Sequence, residues 1–258
     1  MIYWYRGELG EDRVALSLEG EAFRFGTGVF ETLYYNGRTI CHLDSHLRRL
    51  TAALVELDLA HAPLEAETFS RIIGEVLGKN GLERHPARIN IYCFLDGEVI
   101  EPLVTARPHT PDPERVFRLQ VCPERHVSTL SAHKTMNHMF HARALARATA
   151  EGFDSAVLLD MDYNLLEANS SALLFARSGR FITPATCYKL PSTALEAAAR
   201  VLTIREEPLG LESLSRFDHA YILNSIIGMR PVTTIGRTDF PPDHSTCTKA
   251  TAAILCEP

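Results

Sequence analysis

Lys134 opens the run Lys134-Thr135-Met136-Asn137 just ahead of an alanine-rich helical stretch, and one strand later comes Glu167. A lysine amine can condense with a carbonyl carbon, and a carboxylate can keep a neighbouring nitrogen heterocycle protonated. Neither residue is informative alone, because a single lysine or a hairpin-edge glutamate is ordinarily solvated. Among Lys79, Lys134, Lys189 and Lys249, only Lys134 is followed at this remove by a glutamate inside a strand hairpin. That order suggests a pyridoxal phosphate enzyme. Such an enzyme must supply a lysine for the Schiff base, an acid partner for the pyridine nitrogen, an anchor for the phosphate, and control over which bond breaks.

Two phrases precede the pair, Phe25-Gly26-Thr27-Gly28-Val29-Phe30-Glu31-Thr32 and His46-Leu47-Arg48-Arg49-Leu50. Two more follow, Leu190-Pro191-Ser192-Thr193-Ala194-Leu195 and Asn224-Ser225-Ile226-Ile227-Gly228-Met229-Arg230-Pro231-Val232. Together and in this order the segments resemble the class IV (branched-chain and D-amino acid) aminotransferase family, which also contains 4-amino-4-deoxychorismate lyase. The resemblance runs over nearly the whole chain. It implies an α/β (α+β) chain of two-domain, fold type IV architecture, working as a homodimer with pyridoxal 5'-phosphate in a cleft between the domains.

Residue by residue, Lys134 matches the family's Schiff-base lysine and Glu167 the glutamate that pairs with the pyridine nitrogen. Arg49 falls where the H-x-x-R-L arginine contacts the phosphate, with Arg48 the competing assignment; a guanidinium suits that anion. The family phrase L-P-G-I-T-R is altered here, with Ser192 for the glycine, Ala194 for the threonine and Leu195 for the arginine. A helix N-terminus there still offers N–H groups, and Ser192 or Thr193 can add a hydroxyl. Ser225 is the candidate for a further hydroxyl to the same phosphate. Ala172 stands where the family carries an asparagine.

The elements that must position these residues alternate between strands and helices. Strands are expected near Val14–Leu18, Val29–Tyr35 and Arg88–Phe94, with a helix from about Asp44, capped by Asp44 or Ser45, and a second one through Phe69, Ile72, Ile73, Val76 and Leu77. Pro108, Pro111 and Pro113 break both kinds of element. The expected division is therefore a small domain over 1–106, a linker over 107–115 and a larger domain over 116–258. In the latter the pattern predicts a strand at Val116–Val121, a helix over Asn137–Glu151, and a hairpin of Ala156–Asp160 with Leu165–Ala168. Further strands are expected at Ser171–Ala176, Phe181–Thr183, Tyr221–Leu223 and Pro231–Ile235, and a helix over Ala194–Thr203 capped by Ser192 or Thr193.

With 258 residues, 46% hydrophobic and 22% charged, the chain can bury a sizeable core and is not expected to be disordered. A formal charge of −6 with scattered arginines argues against nucleic acid, and no apolar run approaches the roughly 18 residues of a membrane span. A cytoplasmic protein is the expectation, with its six cysteines as buried free thiols. Gly26-Thr27-Gly28 lacks the third glycine of a dinucleotide site, and His138 with His141 lacks the companions of a metal site, so no metal is expected. The leading function is transamination between an amino acid and a ketoacid. Two alternatives stand beside it: the lyase releasing 4-aminobenzoate and pyruvate, and a degenerate, non-catalytic family member. Phe30, Arg88 and Tyr92 are the candidate substrate residues.

Overall fold

Side chains that alternate between two faces build the first sheet of the computed structural model, which describes residues 1–98 and 100–257. In chain order its elements are β1 (Ile2–Tyr5), β2 (Glu8–Glu11), a short α1 (Glu21–Phe25), β3 (Gly28–Asn36), α2 (Leu43–Glu56), α3 (Ala66–Lys79), β4 (Pro86–Leu95) and β5 (Ile100–Pro108). The five strands lie in the order β2-β1-β5-β4-β3, and every neighbouring pair is antiparallel. Val29, Leu33, Ile89, Ile91 and Val104 turn to one face, where Leu47, Leu50 and Leu54 of α2 and Ile72, Ile73 and Val76 of α3 close a core over them. Phe30, Thr32, Asn90 and Tyr92 necessarily share the opposite face.

These elements, Met1–Pro111, form one compact unit that also takes in His133–Asn137, a stretch the sequence division assigns to the second domain. Its attachment is by main chain. Val29 bridges Thr135 antiparallel, Phe30 N–H donates to the Lys134 carbonyl oxygen at 2.9 Å, and Met136 N–H donates to the Gly28 carbonyl oxygen at 2.8 Å. Because β3 is an edge strand of its sheet, the Lys134 segment occupies backbone groups that would otherwise stand open. Gly28 is required for the close approach on the other side of β3: an added Cβ would lie 2.6 Å from the Cys93 carbonyl oxygen.

Two local expectations fail in this unit. Val14–Leu18 forms no strand and leaves Leu16 and Leu18 exposed. Neither Asp44 nor Ser45 caps α2: the N-cap residue is His42, with φ 54°, and the Ser45 hydroxyl instead accepts from Arg48 at 3.2 Å. The strand β5 runs through Arg107 to Pro108, further than the proline run predicts. Pairing with β1 reaches only to Thr105, so the missing N–H of Pro108 costs no bond on that side.

The second unit, Asp112–Ala132 with His138–Pro258, contains β6 (Phe117–Val121), α4 (Met139–Ala150), β7 (Ser155–Leu159), β8 (Leu165–Ala168), β9 (Ala172–Arg177), β10 (Arg180–Pro184), α5 (Thr193–Ala198), β11 (Ile204–Glu207), β12 (His219–Asn224), β13 (Gly228–Ile235), β14 (Thr238–Asp239) and α6 (His244–Ile254). Its sheet runs β11-β10-β9-β12-β13-β6-β7-β8, with β14 added on β13. Parallel pairs (β10–β11, β13–β6, β6–β7) are mixed with antiparallel ones, and Leu119, Val157, Leu159, Phe175, Ile222 and Val232 fill its core. The hairpin around Asp162-Tyr163-Asn164 forms as expected. Asp160 Oδ1 accepts the N–H groups of Asp162 and Asn164, and Tyr163 adopts φ 64°.

Two helices are shorter than their patterns suggest, α4 starting at Met139 and α5 ending at Ala198, while α6 was not expected. Of the cysteines, Cys41, Cys93, Cys122 and Cys247 are buried, Cys187 is exposed and Cys256 is half-buried. The expectation of six buried thiols therefore fails at Cys187 and is met only in part at Cys256. No helix is long and apolar enough to cross a membrane among the described residues.

Candidate active site

In the first unit the edge pairing on β3 places Lys134 Nζ 4.5 Å from the centre of the Phe30 ring. Phe30 in turn stacks on Tyr92, its direct cross-strand partner, with ring centres 5.9 Å apart and planes 23° apart. Lys134, Phe30 and Tyr92 therefore form one cluster at the end of the sheet. A cation over such a ring gains about 0.5–1 kcal/mol, a modest term that orients the amine more than it stabilises the fold.

Of the competing arginines, Arg49 is the one turned inward, 14% exposed, whereas Arg48 lies exposed on the other side of α2 beside a surface concavity with Asp44 and Thr51. Arg49 is held by a buried carboxylate. Its Nε and Nη2 both donate to the carboxylate of Glu31, each at 2.6 Å, and His46 Nδ1 lies 2.7 Å from the same carboxylate. Glu31 sits on the core face of β3, 1% exposed, at a position the strand alternation gives to an apolar residue. Burial by itself would raise its pKa. The Arg49 charge and the hydrogen bonds from His46 and Arg49 outweigh that and bring it down to about 2. Burial also lowers the pKa of His46 despite Glu31, so His46 is neutral and its Nδ1–H donates to the carboxylate.

The sign of that shift gives a prediction. A carboxyl held at about 2 against an ordinary 4.5 contributes about 3 kcal/mol of stability above pH 4.5, lost as the pH falls from 4.5 toward 2. Urea unfolding of Glu31→Gln is expected to show that destabilisation at neutral pH, with the gap to wild type closing through this acid window. A pH-independent gap would contradict the assignment.

Arg88 stands four positions along β4 from Tyr92 on the same face, exposed, with Nε donating to Asn90 Oδ1 at 3.2 Å. Asn90, buried, donates to Thr32 Oγ1 at 2.7 Å and to the Glu31 carbonyl oxygen at 3.1 Å.

The second unit gathers another set. Ser192 caps α5, its hydroxyl oxygen accepting from Leu195 N–H at 3.2 Å, so the hydroxyl hydrogen is still available to donate. Thr193, the first residue of α5, brings its Oγ1 to 3.1 Å from Ser225 Oγ. Ser225 is set there by a turn in which Asn224 Oδ1 accepts the N–H groups of Ile226 and Ile227. Gly228 closes that turn at φ 69°, where a Cβ would lie 2.6 Å from Thr251 Cγ2. Glu167 is half-buried on β8, and the turn after it is tied down by buried Asn169, whose Oδ1 accepts from Ser155 Oγ at 2.6 Å and Ala156 N–H at 3.1 Å. Lys189 lies within the electrostatic reach of Glu167. It pairs with Glu206 at 3.5 Å and donates to the Pro184 carbonyl oxygen, and burial lowers its pKa against the opposing pull of Glu206 and Glu167.

Glu31, His46, Asn90, Thr32 and Lys189 were missed by sequence reasoning. Glu31, Thr32 and His46 lie inside phrases already singled out, and Glu31 carried the further signal of a charged residue at a core position of a strand.

Solved structures share this fold at low sequence identity. A branched-chain aminotransferase of Thermoproteus uzoniensis, solved with norvaline, superposes with a TM-score of 0.89 at 19% identity, covering 100% of this chain and 95% of that one. The branched-chain amino acid aminotransferase of Escherichia coli gives 0.85 at 18% identity over 97% and 92% of the two chains. The architecture is thus that of the fold type IV enzymes. By sequence, the aminodeoxychorismate lyase of Vibrio harveyi is 24% identical over 268 aligned positions, 93% of this chain and 95% of the lyase. Residues 28–235 match the amino-transferase class IV family, and the chain belongs to that family of pyridoxal-phosphate-dependent enzymes.

Proposed function

We propose that this chain is a pyridoxal 5'-phosphate-dependent aminotransferase that passes an amino group between an amino acid and a ketoacid, with Lys134 as its catalytic base and cofactor-holding residue. The observation that carries this reading is the placement of Lys134, fixed by main-chain pairing to β3 with its amine over the Phe30 ring.

The donor set suits the cofactor. Thr193 and Ser225 supply adjacent hydroxyls at the first turn of α5, Ser192 a third, and Arg49 a guanidinium for a phosphate dianion. Arg49 would bring its guanidinium to the phosphate already oriented by Glu31, which accepts from its Nε and Nη2. Glu167 offers a carboxylate to the protonated ring nitrogen. When bound, the cofactor supplies an electron sink for the pair left behind as a bond to the substrate α-carbon breaks. The protein does the rest: Lys134 Nζ takes the α-proton and redelivers it, Glu167 holds the ring proton, and Phe30 with Tyr92 keeps water from the reacting atoms. On this reading the enzyme is a cytoplasmic homodimer, for which exposed Leu18, Phe23 and Phe25 on the first unit supply apolar surface.

One observation favours a second reading. The likeness to the Vibrio harveyi lyase extends over almost the full length of both chains, and a lyase eliminating pyruvate would begin with the same Lys134 and Glu167. The two are separated by supplying an amino-acid panel with 2-oxoglutarate or pyruvate and, separately, 4-amino-4-deoxychorismate. Ketoacid formed from an amino donor is the expected result. Release of 4-aminobenzoate and pyruvate, with no ketoacid from any amino acid, would replace transamination by the lyase.

A further inference from the structure

Arg230, on β13, is a buried cation that the proposed chemistry does not use. It is 3% exposed, and its hydrogen bonds all go to neutral oxygens. Nε donates to the Asp112 carbonyl oxygen at 3.0 Å, and Nη1 donates to the Met229 carbonyl oxygen at 2.9 Å and to Thr251 Oγ1 at 3.0 Å. The carboxylates of Asp112, Glu114 and Glu257 act on it only through space. An apolar side chain of similar volume would avoid the desolvation of a guanidinium at this place. What an apolar side chain could not do is join three segments remote in sequence, the chain at Asp112, the start of β13 and the helix α6.

Two of these segments bear on the rest of the molecule. Asp112 is where the second unit begins, directly after Pro111 of the first, and β6 does not pair with β13 until Phe117. Arg230 therefore fixes the connecting chain before the sheet takes it up. At the other end, Thr251 Oγ1 accepts from Met229 N–H at 3.0 Å as well as from Arg230, and donates to the Met229 carbonyl oxygen at 3.1 Å. With one hydrogen and two lone pairs, that hydroxyl is fully used. Met229 follows Gly228, which pairs with Asn224 across the turn that presents Ser225, and Thr251 leaves Gly228 no room for a Cβ. Thr251 thus sets the closing end of the turn, and Arg230 helps to set the Thr251 hydroxyl.

We propose that Arg230 is a positioning residue that links the Asp112 segment to the Ser225 turn, so that an anion seated on the turn tightens the segment and a loosened segment weakens the hold on the anion. The two effects are one linkage free energy read from its two ends. The inference rests on the function proposed above in taking the anion to be the phosphate of the cofactor.

The test is tryptic cleavage after exposed Arg115, close to Asp112, with and without pyridoxal phosphate or inorganic phosphate, beside the affinities for pyridoxal phosphate and pyridoxal. Either phosphate compound should slow cleavage of wild type. Arg230→Met should be cut about tenfold faster, the effect of one hydrogen bond from a charged group on a local opening. It should gain no protection from either compound and bind pyridoxal phosphate about tenfold more weakly, with pyridoxal binding unchanged. Thr251→Val interrupts the link at its other end: with Asp112 still held, cleavage without ligand should stay at the wild-type rate while the protection is lost. Thr251→Ser keeps the hydroxyl and should behave as wild type. Circular dichroism checks that each variant is folded, and if Arg230→Met is not, the comparison of Thr251→Val with Thr251→Ser decides. Wild-type cleavage that no bound phosphate compound slows, or protection undiminished in Arg230→Met and Thr251→Val, overturns the inference. Protection by phosphate that these variants lose, in a protein that transaminates nothing, would leave the link standing and remove the proposed function instead. Transamination by a wild type whose cleavage neither compound slows would do the reverse.

Discussion

Lys134→Ala is expected to abolish transamination and the visible absorbance of the bound cofactor together. The amine has two duties in the proposed mechanism, holding the cofactor and moving the α-proton, and loss of a positioned base alone costs about 10²- to 10⁴-fold. Losing both should put turnover below detection. The fold should survive, because β3 holds the segment through the Lys134 carbonyl oxygen and the Met136 N–H, neither of which the substitution touches. Thermal unfolding should therefore shift little, by about the 0.5–1 kcal/mol of the contact with the Phe30 ring. Lys189→Ala is the control: Lys189 is the other half-buried lysine, and its loss should leave the absorbance in place. Colour retained in Lys134→Ala and lost in Lys189→Ala would transfer the role to Lys189.

Glu167→Gln carries the second large effect. The amide cannot stabilise a ring proton as a carboxylate does, so the variant should fold and retain cofactor while its turnover falls by about 10²-fold or more. A second readout accompanies the first. Glu167 raises the pKa of Lys189, in opposition to burial, so its neutralisation should lower that pKa further. Titration of ¹⁵N-labelled Lys189 would register the change even in protein without turnover. Wild-type rates in Glu167→Gln would remove Glu167 from the site.

How much of this was legible beforehand depended on whether a residue's role is local. The helix through Leu47, Leu50 and Leu54, and the hairpin bearing Glu167, follow from periodicity and turn residues within a few positions. The helix α6 did not announce itself, because its buried positions are Cys247, Ala250, Thr251 and Ile254, a stripe with helical spacing but little hydrophobicity. Its cap is plain only in retrospect, Asp243 accepting from Thr246 N–H at 3.1 Å. Val14–Leu18 erred the other way: strand-forming residues make a strand only where they pair, and these pair with none.

In the candidate site the family phrases located Lys134, Arg49 and Glu167 in the sequence but not their neighbours. Glu31 and His46 lie 15 positions apart and meet only when β3 packs on α2. Arg88 and Arg107 become a pair only through the register of β4 on β5. Phe30 and Tyr92 thus share a sheet face with Arg88 and Arg107, an arrangement set by register and not by any one stretch of sequence.

The central claim is that Lys134 holds the cofactor, and the most direct measurement is borohydride reduction of the holoprotein followed by peptide mass spectrometry. The account predicts a single pyridoxyl phosphate adduct on the peptide containing Lys134-Thr135-Met136-Asn137. An adduct on Lys79, Lys189 or Lys249 with none on Lys134, or no adduct on any lysine of a cofactor-saturated protein, would contradict it.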